Sequence, residues 1–172
     1  MRIEPIQAKY IQDSIQVVKQ AFATAEHSDG DEFQLISRLR DSDDYHSEYD
    51  AIALNDDDQV IGHAMLSQAM VGNTPIFVLA PLAVLPDFQK QGVGSALITY
   101  LEVTAGEDMR RAISILGDPA YYGRFGYQPA SDYNITPPAG IPAEYFLIKP
   151  LFEGALAKVS GKLKYAPEFN LN

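Results

Sequence analysis

Cysteine is absent from the sequence. Disulfide bonds, zinc–thiolate sites, iron–sulfur clusters and cysteine nucleophiles are therefore excluded. Long apolar runs are absent too, because the longest, Ile76 to Leu85, is about half of what a membrane-spanning helix needs. The stretch after Met1 contains no apolar segment that resembles a signal peptide. Together these absences predict a cytoplasmic protein that does not cross a membrane.

Positive charge is scarce. The chain has 13 Lys and Arg against 23 Asp and Glu, which gives a formal net charge of −10. Sequence-independent nucleic-acid binding needs clustered cations that displace counterions, and an acidic membrane surface repels a chain of this charge. We therefore expect neither nucleic acid nor membrane as a partner. A cationic or amine-bearing substrate suits the charge better.

The length of 172 residues corresponds to about one domain, so we expect residues 1–172 to form a single domain. Apolar residues recur with helical spacing in some segments and form short strand-like runs in others. The predicted helices are Ile11 to Phe22, Phe33 to Leu39, Val93 to Thr104 and Ala120 to Phe125; the predicted strands are Ile3 to Ile6, Ala51 to Leu54, Val60 to Leu66, Ile76 to Leu85, Ala112 to Leu116 and a last one within Glu144 to Leu151.

A glycine-containing loop, Gln89 to Ser95, separates the long apolar run from the third predicted helix. Glycine lets a backbone approach a ligand closely, and successive amides at a helix start attract anions. The loop does not fit a Walker A motif, and a dinucleotide fingerprint needs glycine where Leu97 stands. It does fit the pattern Gln/Arg-x-x-Gly-x-Gly/Ala through Gln89, Gly92 and Gly94. A glycine-containing helix start without a function remains the alternative.

This pattern resembles the pyrophosphate loop of the GNAT superfamily of acetyl-CoA-dependent N-acetyltransferases. Pro81 inside the apolar run resembles the bulge in the fourth strand of that family, since proline removes a ladder donor. Tyr121 to Tyr127 is similar to the family segment Tyr-x-Lys/Arg-x-Gly-Phe, with Tyr122 four residues before Gly126. Three further segments, 82–84, 116–119 and 161–169, resemble a bacterial subgroup of small predicted acetyltransferases. One departure is Gly117-Asp118-Pro119, which stands where the family usually has Asn after the fifth strand.

The resemblance implies an α/β fold with a mixed, mostly antiparallel central sheet, flanked by helices and splayed between strands 4 and 5. It implies that acetyl-CoA is the cosubstrate and that the acetyl group passes to a primary amine of a small molecule or peptide by direct attack. Tyr122 is the implied general acid for the departing thiolate; its alternative role is that of an ordinary core aromatic. The implied acetyl-CoA-binding residues are Leu82, Ala83, Val84, Gln89, Lys90, Gln91, Gly92, Val93, Gly94, Ser95 and Arg124.

The general base is left open among Glu26, Glu32 and His63, each of which also has a plain structural or solvated role. The three histidines, His27, His46 and His63, have no ligand-like spacing, so we expect no metal. A non-catalytic acyl-CoA sensor or interaction module with the same fold is the alternative function. The sequence leaves a homodimer open.

Overall fold

The computed structural model describes residues 1–25, 28 and 30–171. None of the helices in this described part is both long and apolar enough to cross a membrane. The helices are α1 (Ile11–Phe22), α2 (Glu32–Arg40), α3 (Val93–Glu107) and α4 (Pro119–Tyr122). The strands are β1 (Arg2–Pro5), β2 (Asp50–Leu54), β3 (Val60–Val71), β4 (Thr74–Val84), β5 (Ala112–Leu116), β6 (Gln128–Pro129), β7 (Ile135–Thr136), β8 (Phe146–Pro150) and β9 (Gly161–Lys164).

The strands hydrogen-bond in the order β1-β2-β3-β4-β5-β8-β6, and β9 pairs with β3 and β7. Most pairings are antiparallel, whereas β4 with β5 and β7 with β9 are parallel. The ladder between β4 and β5 consists of Phe77 with Ile113 and Val78 with Ser114. This short parallel ladder inside a mostly antiparallel sheet confirms the predicted α/β class.

The chain forms two compact units, each built from two separate segments. Unit 1 comprises Met1–Leu66 and Ala80–Thr104, and unit 2 comprises Ser67–Leu79 and Ala105–Asn172. The expectation of a single domain for residues 1–172 stays a prediction.

The core of unit 1 forms where the apolar faces of its helices meet buried strand residues. Strand β2 is buried along its whole length, which fits its continuous apolar run. The helices contribute one buried face each, as their spacing predicts. These faces include Val17 and Val18 of α1, Ile36 and Leu39 of α2, and Leu97, Ile98 and Leu101 of α3.

The core of unit 2 surrounds β5 and β8. These two strands pair over five residues, from Ala112 opposite Pro150 to Leu116 opposite Phe146. The strand predicted within 144–151 is confirmed as β8, but it is not the last one, because β9 follows at Gly161–Lys164. Only Leu163 of β9 is buried, so this strand lacks the apolar alternation that a sequence pattern requires. Strands β6 and β7 have two residues each and are too short to show a period.

Candidate active site

The predicted pyrophosphate loop lies in unit 1, between the end of β4 and the start of α3. Two of its residues, Lys90 and Gly92, are in the left-handed region, with φ of 60° and 84°. A Cβ on Gly92 would meet nothing within 4 Å, so the backbone conformation alone favours glycine there. Left-handed residues of this kind occur in turns whose amides form anion-binding concavities.

Helix α3 begins at the end of this loop. The Ala96 amide donates to the Gly92 carbonyl at 3.0 Å, which is the hydrogen bond of the first helical turn. The amides of Val93, Gly94 and Ser95 precede that bond, so they have no partner inside the helix. Gly94 and Ser95 are half-buried. The amides and the helix dipole together favour an anion at this point.

The two glutamines of the loop bond to nearby backbone. Gln89 Nε2 donates to the Val84 carbonyl at 3.2 Å, and Gln91 Nε2 donates to the Asp87 carbonyl at 3.0 Å. These bonds connect the loop to the end of β4 and to the short 3-10 helix Pro86–Phe88, which precedes the loop. The structure thus gives both side chains a role in holding the loop, which the sequence pattern did not indicate.

The second half of β4 has one partly open face. Ile76 to Leu79 are all buried, as expected for a strand covered on both faces. From Ala80 to Val84 the pattern alternates: Ala83 is 2% exposed, whereas Leu82 and Val84 are half-buried. Pro81 lies within this part of the strand. The alternation makes Leu82 and Val84 accessible from one side, which the continuous apolar run did not predict.

Sequence reasoning missed Gly62 of β3, which makes room for the start of α3. A Cβ on Gly62 would lie 2.9 Å from Val93 Cγ1, 3.0 Å from Leu97 Cδ1 and 3.3 Å from the Ala83 carbonyl oxygen. The helix that carries the loop therefore packs directly on the backbone of β3. A single glycine inside a strand pattern is the available signal for such a close approach.

Tyr122 lies in unit 2, at the end of α4. The Asp118 side chain accepts a hydrogen bond from the Ala120 amide at 2.9 Å and caps this helix, and Pro119 takes its first position. A 3-10 turn follows and ends at Gly126, whose φ is 90°. The predicted short helix at Ala120 to Phe125, closed by Gly126, is thus present as one helical turn and a 3-10 turn.

The Tyr122 ring packs edge-on against two other tyrosines. The centroid of the Tyr122 ring lies 4.8 Å from the centroid of the Tyr121 ring and 6.1 Å from that of the Tyr127 ring. Tyr127 is the core aromatic of this group, at 3% exposure, whereas Tyr122 stays half-buried. Burial, with a smaller contribution from Tyr121, raises the pKa of Tyr122 to about 12. The phenol therefore keeps its proton throughout the physiological pH range.

Arg124 lies on the aromatic surface beside Tyr122. Its Nε donates to the Tyr121 carbonyl at 3.2 Å, and its guanidinium carbon lies 4.6 Å from the centre of the Tyr121 ring. The side chain is exposed. Stacking on a ring orients a guanidinium while leaving its outer nitrogens for an anion.

The candidate general bases have different surroundings. Glu26 lies outside the described residues, as does His27. Glu32 is the first residue of α2 and is half-buried. His63 is fully buried, and its Nε2 lies 2.7 Å from Asp50 Oδ1. That contact fits the structural role considered for His63.

Asp50 is the centre of a buried polar cluster that the sequence did not reveal. Arg40 donates to it from Nε at 2.8 Å and from Nη2 at 3.2 Å, and the Tyr45 hydroxyl donates at 2.8 Å. Arg40 also donates to the Ser14 hydroxyl at 2.9 Å. Burial alone would raise the pKa of Asp50, but hydrogen bonds and electrostatic interactions with His63 and Arg40 outweigh it and bring this pKa to about 2.

No group of three or more metal-ligating side chains occurs within residues 1–25, 28 and 30–171. Among the predicted site residues, the loop offers backbone amides at a helix start, and Tyr122 offers a protonated phenol.

Comparison with known proteins identifies related chains. Residues 47–129 match the family model described as an acetyltransferase (GNAT) domain. The uncharacterized N-acetyltransferase YhbS of Escherichia coli strain K12 is 31% identical over 121 residues, which cover 69% of this chain and 72% of that protein. The uncharacterized N-acetyltransferase YjhQ of the same strain is 34% identical over 96 residues, 51% of either chain.

Solved structures show the same fold. The structure of the E. coli GNAT family N-acetyltransferase YhbS in complex with CoA has a TM-score of 0.86 and 25% identity, and covers 98% of this chain and 91% of that one. A GNAT family acetyltransferase from Brucella melitensis in complex with acetyl-CoA has a TM-score of 0.81 and 24% identity, with coverage of 98% and 97%. The sequence relatives and the shared fold place the chain in one family: it belongs to the GNAT N-acetyltransferases.

Proposed function

We propose that the protein transfers the acetyl group of acetyl-CoA to a primary amine of a small molecule or peptide. The observation that carries this proposal is the exposed turn at the start of α3, where left-handed Lys90 and Gly92 lead into three amides without helical partners. The structures of YhbS with CoA and of the Brucella protein with acetyl-CoA support the choice of donor.

The loop from Gln89 to Ser95 binds the pyrophosphate of the donor in this proposal. Lys90 is the one cation in the loop, so backbone amides provide most of the attraction. Gln89 and Gln91 keep the loop in shape through their bonds to backbone carbonyls. Arg124 adds a guanidinium suited to phosphate oxygens.

The half-open part of β4 binds the pantetheine arm in this proposal. Leu82 and Val84 are accessible from one side, while Ala83 is buried in the core of unit 1. An extended arm lying along a strand is held by backbone hydrogen bonds, in the manner of an added strand. This mode of binding depends on backbone groups, so it places few demands on the side chains.

The amine attacks the thioester carbonyl directly. A C–N bond forms, the C–S bond breaks, and the amine nitrogen releases one proton to water. An α-amine of pKa ≈ 8 is neutral in about one molecule in ten at pH 7, whereas a lysine ε-amine of pKa ≈ 10.4 is neutral in about one in 2,500. Acceptors with weakly basic amines therefore need the least assistance. Orientation of the two substrates supplies much of the rate enhancement.

Tyr122 donates its phenolic proton to the departing sulfur. The phenol is protonated at every physiological pH because burial raises its pKa to about 12, and a free thiol has a pKa of about 8.5. The thiolate is thus a fair leaving group in water. The phenol first stabilises the developing negative charge on sulfur through a hydrogen bond, and its proton moves to sulfur along that bond as the C–S bond breaks. The phenol regains its proton from solvent after transfer.

A thiol-release assay with acetyl-CoA and a panel of primary amines tests this function. We expect amine-dependent release of CoA, with the acetylated amine detected by mass spectrometry in equal amount. The non-catalytic sensor predicts stabilisation by acetyl-CoA with no amine-dependent release for any member of the panel. That second result would contradict the proposed function.

A further inference from the structure

The Tyr122 ring occupies the space where residue 117 would carry a Cβ. An ideal Cβ on Gly117 would lie 2.9 Å from Tyr122 Cδ2, 3.4 Å from Cζ, and closer still to Cε2. Gly117 does not have a positive φ, so its backbone suits any residue. The ring alone therefore excludes a side chain at position 117.

A short network of hydrogen bonds fixes the chain between these two residues. Gly117 follows the last residue of β5, and its amide donates to the Tyr145 carbonyl at 2.9 Å. The amide of Tyr122 donates to the Asp118 carbonyl at 3.0 Å, in the helix that the Asp118 side chain caps. Backbone hydrogen bonds thus hold both ends of the segment from Gly117 to Tyr122. A side chain at position 117 would therefore displace the Tyr122 ring rather than the strand.

We propose that Gly117 is a positioning residue, whose missing side chain fixes where the Tyr122 hydroxyl is held. This inference rests on the proposed function, in which Tyr122 donates to the leaving sulfur. It also assigns a role to the first residue of the segment Gly117-Asp118-Pro119, which the sequence alone leaves without one. A substitution of Gly117 should change kcat only by moving the Tyr122 hydroxyl. The change in kcat should therefore disappear in a variant that lacks this hydroxyl.

Melting temperatures test the steric part of the proposal without any reaction. We expect Gly117→Ala to lower the melting temperature of the original protein by several degrees. In the Tyr122→Ala variant, which lacks the ring, the same substitution should leave the melting temperature unchanged. If Gly117→Ala alone does not fold, recovery of folding in the double variant supports the contact. Equal losses in both backgrounds, or a double variant that also fails to fold, would overturn it.

Kinetics test the positioning part. We expect Gly117→Ala to lower kcat about tenfold, because a displacement near 1 Å misaligns a reacting group, with the KM for acetyl-CoA unchanged. In the Tyr122→Phe background the same substitution should lower kcat no further. Gly106→Ala is the matched control, because a Cβ on Gly106 meets nothing within 4 Å; it should leave kcat unchanged.

The two tests separate this proposal from the proposed function. An unchanged kcat in Gly117→Ala, or an equal loss in the Tyr122→Phe background, would overturn positioning by Gly117. A Tyr122→Phe variant with full kcat would overturn the acid role of Tyr122 and, with it, the kinetic part of this proposal. The melting-temperature comparison would then still decide whether Gly117 holds the ring.

Discussion

Asp50 Oδ1 lies 2.7 Å from His63 Nε2, and both side chains are fully buried. Arg40, with 9% of its side chain exposed, donates to the same carboxylate at 2.8 Å. A buried carboxylate is stable only when paired and hydrogen-bonded. The contacts join α2, β2 and β3, so the charge on Asp50 has consequences for the stability of unit 1.

Stability should therefore fall in acid. The folded-state pKa of Asp50 is about 2, below the value of about 3.9 for an unfolded chain. Its contribution, on the order of 2–3 kcal/mol, is present above about pH 4 and is lost as pH falls toward 2. Urea unfolding between pH 2 and 6 measures it.

Two substitutions make this measurement specific. Asp50→Asn should unfold at much lower urea at pH 6, because Arg40 loses its buried partner, and the remaining stability should depend less on pH. Asp57→Asn, in the exposed turn between β2 and β3, should keep the pH dependence of the original protein. The same acid sensitivity in both variants would refute the role of Asp50.

Acetyl-CoA should raise the melting temperature. At a concentration 100 times its dissociation constant, mass action adds about 2.7 kcal/mol, which is a shift of several degrees for a chain of this length. Differential scanning fluorimetry measures the shift. No shift at millimolar acetyl-CoA would contradict the proposed donor site, and Gly94→Val should abolish the shift while the protein still folds.

Gly62→Ala should weaken acetyl-CoA binding without touching the ligand. The added Cβ would lie 2.9 Å from Val93 Cγ1 and 3.0 Å from Leu97 Cδ1. Because a valine has little rotamer freedom in a helix, we expect the start of α3 to shift and carry its amides with it. We expect a loss of affinity of about tenfold and a stability cost of about 1–3 kcal/mol. Titration calorimetry measures the affinity, with Gly106→Ala as control. Unchanged affinity in a folded Gly62→Ala variant would show that the loop does not depend on this packing.

Tyr122→Phe should lower kcat by about 10-fold to 100-fold, nearer the lower end because a phenol of pKa about 12 is a weak acid. Affinity for acetyl-CoA should stay nearly unchanged. The pH profile of kcat in the original protein should show no loss attributable to Tyr122 below about pH 11.

Donors with more acidic thiols provide the control for Tyr122. Such thiols leave with less assistance, so the difference between Tyr122→Phe and the original protein should shrink. Full kcat in Tyr122→Phe, where chemistry limits turnover, would assign Tyr122 to packing. Loss of folding would show that its role as a core aromatic was the correct one.

Local sequence patterns were sufficient to predict where the strand, the loop and the helix around the candidate site lie. The apolar run from Ile76, the glycines of the loop and the spacing of α3 each act over a few residues, and all three elements lie where they were predicted. Contacts between distant positions left little or no such pattern. The glycine at position 62 inside a strand signals a close approach, but it does not say that Val93 is the partner. Arg40, Asp50 and His63 each look ordinary in their own segments, so their contact left no signal.

Backbone recognition by the loop has a consequence for turnover. The amides of residues 93–95 would bind a pyrophosphate, which is common to acetyl-CoA and to the CoA left after transfer. Gln89 and Gln91 hold the loop through the protein's own carbonyls, so its shape does not depend on the acyl group. Product CoA should therefore compete with acetyl-CoA for the same amides, and the rate should follow the ratio of the two rather than the concentration of the donor alone.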